Sequence, residues 1–530
     1  MGNYHIQLLG GNRAAMPVAY PVGETKEKYM KKRYLRHPHS ILTAMLYLIV
    51  FIGVFLAIYQ YIYNRSLWLD EARLALNIIN KDFIGLTKPL DYHQVAPIGF
   101  LFIEKISVLI LGKNELALRI FPLISFLTSI PFFYLLSNKL VKNSVIALIS
   151  TSIFSITLSL LRYSSEVKQY STDVLFAIII LYYSLTLQLN KNKSLFIYAV
   201  IGSIAVCFSN ISIIILFVTG VYLLYFDGYK NKNYKVLFPF LFWATAFSIY
   251  YYLFIHNSPT TESMKTSWKN AFLPLNPFSK DFYSFLLFAV KSIYAKLLHF
   301  DYFWIIPLII SLSAIGIMLK QRKYTLLYFC LTPIIVHLLL SGLALYPFSK
   351  RLILYTAPLI ILIFSFGLCH LFEFFNKKIL RLPNLLLILP VVIFFYPIYL
   401  KFPIKVEEIK SSLNYIEKNI NKEETIYAYH GACDALEFYK ETKSININNV
   451  IIAGTKHKNE NHKYDHELLN LKGKVWLLFS HVNPVRKNYV DEEEYMIAFL
   501  ISQGSVLLDV KEYKGSSVYY VDTKRQHPAK

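Results

Sequence analysis

The stretch ILTAMLYLIVFIGVFLAIYQYIYNRSLWLDEA (41–72) decides the fold, because two adjacent carboxylates follow a long apolar run almost at once. As a helix, residues 41–63 are long enough to cross the hydrocarbon core of a bilayer. Asp70 and Glu71 then lie close to the membrane edge. Similar apolar runs continue to residue 402, and 55% of the chain is hydrophobic. The sequence therefore predicts a polytopic α-helical membrane protein.

We predict about eleven transmembrane helices from the apolar runs. Their predicted ranges are 41–63, 117–138, 144–161, 171–189, 195–209, 211–226, 237–256, 303–319, 325–345, 352–374 and 384–402. The stretch APIGFLFIEKISVLILG (96–112) is also apolar, but Glu104 and Lys105 stand at its middle. A helix lying on the membrane surface costs less than a span with an internal ion pair, so we predict a surface helix there.

The distribution of basic residues orients the spans. If residues 96–112 stay on the surface, a series of short Lys- and Arg-rich connections falls on the side of the basic tail 1–40, which is then cytoplasmic. These connections read NKLVKNS, NKNKS, DGYKNKNYK, KQRKY and FNKKILRLP. The opposite side receives a first outer loop (64–117), a long outer loop (257–300) and everything after the module 41–402. Because topology explains the net charge of +22, we expect no nucleic-acid partner.

The tail 403–530 differs in pattern from the rest of the chain. Short apolar strands such as ETIYAY, NVIIAG and KVWLLFSH alternate there with helical segments. This alternation predicts a small α/β domain outside the membrane. We expect the domain to position an acceptor and to take no part in the chemistry.

Polar side chains on the outer side stand at the ends of spans. The candidate site residues are Asp70, Glu71, His93, Gln94, Arg119, Glu166, Lys168, Tyr170, Asp173, Lys350 and Arg351. Folding can gather them into one pocket at the outer membrane surface. The alternative for any one of them is a side chain that snorkels to water. Asp173 and Arg119 resist that explanation, since each enters the apolar part of its span, where an unpaired ionisable group is costly.

Four motifs follow one another in this region. They are WLDEA (68–72), HQVAPIGF (93–100), G-x-x-E-x-A-x-R (112–119) and RYSSEVKQYSTDVL (162–175). Their order resembles that of the GT-C superfamily of membrane glycosyltransferases, and most of all the bacterial branch related to protein O-mannosyltransferases and lipid A aminoarabinose transferases. The resemblance covers residues 60–190, and the remaining spans share the general layout.

The resemblance implies a transferase that takes a sugar from a polyprenyl-phosphate carrier on the non-cytoplasmic side. It assigns the catalytic base to Asp70, the aspartate of the Asp-Glu pair. It also matches Arg119 to an arginine before the second span, and Asp173 to an aspartate that opens a later span. HQVAPIGF corresponds to the mannosyltransferase motif H-P-P-L-G-K, although it lacks the proline after His93 and the lysine.

The residue chemistry agrees with this reaction. A departing polyprenyl phosphate gains negative charge, which cations such as Arg119, Lys168, Lys350 and Arg351 can stabilise. A positioned carboxylate can take the proton of the acceptor hydroxyl as it attacks the anomeric carbon, which inverts that centre.

We therefore expect an inverting glycosyltransferase of the bacterial inner membrane, whose acceptor is a glycan, a lipid or a protein of the cell envelope. A transporter or lipid flippase is the main alternative, and a non-catalytic assembly factor is the third. Transporters usually place their ionisable groups near the bilayer midplane, whereas here they gather at one face. The cofactor is unknown; Asp70, Glu71 and Glu166 could hold a divalent metal.

Overall fold

The computed structural model describes residues 26–256, 266, 268–376, 383–457, 463–482 and 491–523. For residues 26–40 and for Lys350 it describes the backbone but not the side chains. The larger part of the predicted tail 1–40 lies outside the described residues. The first helix, Lys26–Tyr63, extends the predicted first span toward the N-terminus.

Helices make up most of the described residues before residue 402. The α-helices of this part are Lys26–Tyr63, Leu69–Asn80, Phe83–Leu86, Ile98–Leu111, Ile120–Val141, Ser144–Ile156, Leu158–Tyr163, Tyr170–Thr186, Asn192–Phe208, Ser212–Leu223, Leu237–Tyr250, Lys280–Lys291, Ile305–Lys320, Tyr324–Gly342, Ala357–Phe375, Ile388–Val392 and Phe395–Lys401. Short 3₁₀ segments, among them Ala117–Arg119 and Lys350–Thr356, lead into two of these helices. Leu69–Asn80, which carries Asp70, is called the Asp70 helix below.

Among the described residues, eleven apolar helical stretches stand where the sequence predicts spans. Seven are long and apolar enough to cross a membrane: Ile41–Tyr63, Ala117–Val141, Ser212–Lys230, Tyr234–Ile255, Tyr324–Gly342, Arg351–Phe375 and Asn384–Lys401. Four shorter apolar helices occupy the other predicted spans: Ser144–Ile156, Tyr170–Thr186, Asn192–Phe208 and Ile305–Lys320. The predicted class, a polytopic α-helical membrane protein with a C-terminal α/β region, is confirmed.

The stretch interpreted as a surface helix forms the 14-residue helix Ile98–Leu111. Its two charged residues do not pair with each other. The Lys105 ammonium donates to the carbonyl of Ile78 at 2.9 Å, at the end of the Asp70 helix. Glu104 is fully buried, and burial raises its pKa well above the ordinary value. This helix therefore packs against the Asp70 helix, and Lys105 holds the end of that helix.

The C-terminal region contains a five-stranded sheet of order β2-β1-β3-β5-β4. Its strands are β1 (Thr425–Ala428), β2 (Ile451–Ala453), β3 (Lys474–Ser480), β4 (Val506–Tyr513) and β5 (Ser516–Asp522). The pairs β1–β2 and β1–β3 are parallel, whereas β3–β5 and β4–β5 are antiparallel. Helices Ile409–Asn419, His430–Glu441, Tyr464–Leu469 and Glu492–Ser502 accompany the sheet. The helix–strand alternation therefore appears as the sequence predicts.

Hydrogen bonds fix the point at which the chain leaves the last apolar helix and enters this domain. The backbone N–H of Ile404 donates to the Gln60 side chain at 2.7 Å, and the Gln60 amide donates back to the Ile404 carbonyl at 3.0 Å. Gln60 lies near the end of the first helix. The domain thus starts beside residues 64–73 and contacts the Asp70 helix, which packs against His430–Glu441.

Candidate active site

Asp70 lies between two cations at the start of the Asp70 helix. One of its carboxylate oxygens is 3.3 Å from the Lys168 ammonium, and the other is 2.8 Å from the Arg351 guanidinium. The amide of Gln94 donates to Asp70 at 3.1 Å, and Lys168 donates to the carbonyl oxygen of the Gln94 side chain at 2.7 Å. Four side chains from separate parts of the chain therefore form one connected polar group.

Local structure explains why the two cations reach Asp70. Lys168 lies in the short connection before helix Tyr170–Thr186, and Arg351 lies in the 3₁₀ segment that opens the apolar stretch Arg351–Phe375. Aromatic rings enclose the Arg351 guanidinium, with Trp68, Tyr170 and Trp268 ring centroids at 5.4, 5.6 and 5.8 Å. Such contacts favour a cation and hold its planar group in one orientation.

This polar group opens into a cavity of about 250 Å³. The residues that line it are Asp70, His93, Gln94, Val95, Lys168, Gln169, Tyr170, Asn210, Phe254, Ile255, Trp268, Phe272, Leu345, Tyr346, Pro347, Arg351 and Leu352. The lining combines charged and polar groups with a larger number of apolar and aromatic groups. A ligand with an anionic group and an apolar part matches this combination.

The electrostatics of the cavity keep Asp70 ionised. Burial alone would raise the pKa of Asp70, but Lys168 and Arg351 together outweigh it and hold this pKa well below the ordinary value. Burial lowers the pKa of Lys168, and the neighbouring Asp70 carboxylate opposes that change. Both cations are therefore balanced by one carboxylate, and a second anion in the cavity would compete with Asp70 for them.

Glu71 faces away from this cavity into a buried cluster of charges. Its carboxylate is 2.6 Å from Arg65 and 3.2 Å from Arg119, and it accepts the backbone N–H of Val167 at 2.9 Å. Glu166 is 3.5 Å from Arg65 in the same cluster. Burial would raise the pKa of Glu71, but Arg119 and Arg65 outweigh it and lower that pKa. Glu71 therefore joins the helix to its support and makes no contact with the cavity.

The structure divides the predicted site residues into three groups. Those that line the cavity are Asp70, His93, Gln94, Lys168, Tyr170 and Arg351. Those in the buried charge cluster are Glu71, Arg119 and Glu166. Asp173 lies deeper along helix Tyr170–Thr186, where it accepts a 2.6 Å hydrogen bond from Ser209. The side chain of Lys350 lies outside the described residues.

The structure does not bring the proposed metal ligands together. Asp70 points to the cavity, whereas Glu71 and Glu166 both contact Arg65. Within the described ranges, no group of three or more His, Cys, Asp or Glu side chains is arranged to hold a metal ion. Two carboxylates already paired with a buried guanidinium are poor candidates to share a metal with a third.

Several cavity residues were not predicted from the sequence. Asn210 comes from the start of a later apolar helix, and its side chain accepts a 3.1 Å hydrogen bond from Tyr250. Trp268 and Phe272 come from the long outer loop, and Tyr346 precedes the Arg351 segment. None of these four residues carries a charge or belongs to one of the four motifs, so no signal in the sequence marks them.

Comparisons with solved structures find similar chains, among them two structures of ArnT. ArnT from Cupriavidus metallidurans, solved bound to undecaprenyl phosphate, is 12% identical in sequence, with a TM-score of 0.49; the match covers 91% of this chain and 97% of that one. ArnT in the apo state matches over the same shares with 11% identity and a TM-score of 0.49. ArnT is a lipid A aminoarabinose transferase with the GT-C fold, the class that the motifs of this chain resemble. No protein-family model matches the chain, and no curated protein matches it.

Proposed function

We propose that this protein is an inverting glycosyltransferase that moves a sugar from a polyprenyl-phosphate-linked donor to a cell-envelope acceptor on the non-cytoplasmic face. The observation that carries the proposal is the position of Asp70, which lines a cavity between Lys168 and Arg351. A carboxylate with two cations beside it is what proton removal next to a phosphate leaving group requires.

In the proposed reaction, the acceptor hydroxyl oxygen forms a bond to the anomeric carbon of the donor sugar. The bond between that carbon and the phosphate oxygen breaks, and both of its electrons leave with polyprenyl phosphate. Asp70 takes the proton of the acceptor hydroxyl. Lys168 and Arg351 stabilise the negative charge that the phosphate gains, because both cations line the cavity beside Asp70.

The ion pairs of Asp70 explain how the base would become active. While both cations contact Asp70, its pKa stays low and it binds a proton weakly. A donor phosphate shares the same two cations and so weakens their pull on the Asp70 carboxylate. Donor binding would therefore raise the basicity of Asp70 at the moment when a base is needed.

Residues around this centre have supporting roles in the proposal. Gln94 fixes the positions of the Asp70 and Lys168 side chains relative to each other, because its amide group hydrogen-bonds to both. Glu71, Arg119 and Glu166 keep the start of the Asp70 helix in place, since they form the buried cluster behind it. His93, Tyr170 and Asn210 face the cavity and could contact sugar hydroxyls.

Mass analysis of envelope glycans tests the proposal in a strain that lacks the protein. We expect one monosaccharide to be missing, wild-type protein to restore it, and Asp70→Asn to fail although the variant is made at normal levels. Restoration by Asp70→Asn would overturn the assignment of the base. A missing monosaccharide accompanied by a lipid-linked precursor trapped on the cytoplasmic side would instead favour a flippase.

A further inference from the structure

The backbone that leads into the Asp70 helix is held by side chains rather than by helix or strand partners. Residues 65–69, called the entry segment, include the buried Arg65, Ser66 and Leu67. Buried backbone groups outside regular structure need partners from elsewhere. On the side of the apolar helices, Arg119 donates to the Arg65 carbonyl at 2.7 Å, and Arg65 donates to the Ser66 carbonyl at 3.1 Å.

The C-terminal domain supplies the partners on the other side. The backbone N–H of Leu67 donates to the hydroxyl of Tyr439 at 2.9 Å, and that of Leu69 donates to the Glu407 carboxylate at 3.1 Å. Leu69 is the first residue of the Asp70 helix. The residue before it, Trp68, has no side-chain oxygen with which to cap a helix. A carboxylate 338 positions away in sequence therefore takes the place of a local cap.

Glu407 is itself held firmly. Its other carboxylate oxygen lies 2.6 Å from Nδ1 of His481. The backbone N–H of the next residue, Glu408, donates to the backbone carbonyl of Lys514 at 2.9 Å, in the turn that joins β4 to β5. Gly515 in that turn has a φ of +69°, and a Cβ there would lie 2.8 Å from the Val406 carbonyl. The hairpin turn thus fixes the backbone from which Glu407 reaches the Asp70 helix.

We propose that Glu407 of the C-terminal domain is a positioning residue for Asp70. It anchors Leu69, the neighbour of Asp70, and so sets the place of the base relative to Lys168 and Arg351. The catalytic consequence rests on the proposed function, whereas the mechanical link between the two residues does not. A displacement of about 1 Å in a reacting group can lower a rate by about 10²-fold, so a distant anchor can control transfer without contacting substrate.

Hydrogen exchange of the full-length protein in detergent tests the link without any assay of activity. In Glu407→Ala we expect the amides of residues 67–72 to exchange at least about tenfold faster than in wild type, since the Leu69 amide loses its acceptor. Glu407→Gln should retain most of the protection, because glutamine can present its oxygen to Leu69 and its NH₂ to a neutral His481. Tyr439→Phe should speed exchange mainly at Leu67, which gives a second, milder variant if Glu407→Ala folds poorly.

Asp434→Asn is the matched control. Asp434 lies in the same domain and contacts the same helix, 2.6 Å from Arg73, but farther from its N-terminus. The variant Asp434→Asn should leave the hydrogen exchange of the Leu69 amide unchanged. Equal loss of protection in Asp434→Asn and Glu407→Ala would show a general loosening of the interface and overturn the proposal. Unchanged exchange in Glu407→Ala would overturn it as well.

Transfer and ligand binding complete the test. Glu407→Ala should lower the transfer rate roughly 10–100-fold, while its affinity for undecaprenyl phosphate stays within about twofold of wild type and Glu407→Gln restores the rate. A loss of affinity as large as the loss of rate would contradict a positioning role. If wild type transfers no sugar, the proposed function fails, and the exchange data still decide whether Glu407 holds the Asp70 helix.

Discussion

Asp70 and Glu71 are adjacent in the chain, yet their carboxylates lie in different environments. The Asp70 side chain is 20% exposed and faces the cavity, whereas Glu71 is fully buried between two arginines. Consecutive residues of a helix point about 100° apart, so one of the pair can reach the cavity while the other enters the protein. The pair thus combines a group for chemistry with a group for support.

Replacement of Glu71 should damage stability more than chemistry. Glu71→Gln leaves Arg65 and Arg119 without their shared carboxylate, and breaking a buried ion pair in this way costs roughly 3–5 kcal/mol. We expect a marked fall in the thermal unfolding midpoint of the detergent-solubilised protein. Asp70→Asn also removes an ion-paired carboxylate, but one that is 20% exposed, so its midpoint should fall less than that of Glu71→Gln.

The two variants also separate in activity. The protein that remains folded in Glu71→Gln should transfer sugar at a moderately reduced rate, whereas transfer by stable Asp70→Asn should fall by about 10²–10⁴-fold. A stable Glu71→Gln protein with a loss of transfer as large as that of Asp70→Asn would show that both carboxylates act in the reaction.

Binding of undecaprenyl phosphate should change in opposite directions in variants of Asp70 and Arg351. Arg351→Ala removes a cation from the proposed phosphate site and should weaken binding by about 10–100-fold, as expected for a charged hydrogen bond. Asp70→Asn removes the anion that competes for the same cations, so it should tighten binding. Quenching of the fluorescence of Trp68 and Trp268, which lie beside Arg351, can follow the titration with undecaprenyl phosphate.

Lys296 provides the control for this experiment. It is an outer-loop cation, 71% exposed and paired with Asp301, and it lies outside the cavity. Lys296→Ala should bind undecaprenyl phosphate as wild type does. If it weakened binding as strongly as Arg351→Ala, affinity would depend on overall charge rather than on the site.

Much of the fold could be predicted because apolar runs and basic connections are local features of the sequence. Spans were placed well where the run is unbroken, as in 41–63. Glu104 and Lys105 led to the prediction of a surface helix at 96–112. The structure has the helix Ile98–Leu111 there, with a hydrogen bond from Lys105 to the Ile78 carbonyl. Partners of this kind come from distant residues and leave no pattern in the sequence.

The site could be predicted only in part, for a related reason. The sequence places ionisable residues such as Asp70, Lys168 and Arg351 at span ends. It does not indicate which carboxylate faces a cavity and which is enclosed by arginines. Glu407 was also missed, since it was assigned to a domain expected to act on the acceptor alone. Its contact with Leu69 depends on how two domains meet, which composition and periodicity do not encode.

Orientation in the membrane follows from the proposal and can be measured by cysteine labelling. Lys113 and Lys193 are both exposed. Lys113 lies in a loop predicted on the outer side, and Lys193 lies at the start of helix Asn192–Phe208, at an end predicted on the cytoplasmic side. In a background with Cys207 and Cys433 replaced by serine, Lys113→Cys should react with an impermeant thiol reagent added to intact spheroplasts, and Lys193→Cys should react only after lysis. The reverse result would move the cavity to the cytoplasmic face.

The pH dependence of transfer should reflect the ion pairs of Asp70. Because Lys168 and Arg351 hold the pKa of Asp70 below its ordinary value of about 3.9, the base is already ionised at pH 5, and kcat/KM should show no acid limb from Asp70 between pH 5 and 8. The ion pairs stabilise the fold at pH values above the ordinary pKa of Asp70, and this contribution is lost as the pH falls through the lowered pKa.

Lys168→Gln removes one cation, so the acid limb of kcat/KM should move to higher pH while the maximum falls. The profile of kcat/KM is the measurement to use, since it reports the free enzyme, in which these ion pairs exist. A wild-type acid limb near pH 6 that Lys168→Gln leaves in place would assign the base to a group other than Asp70.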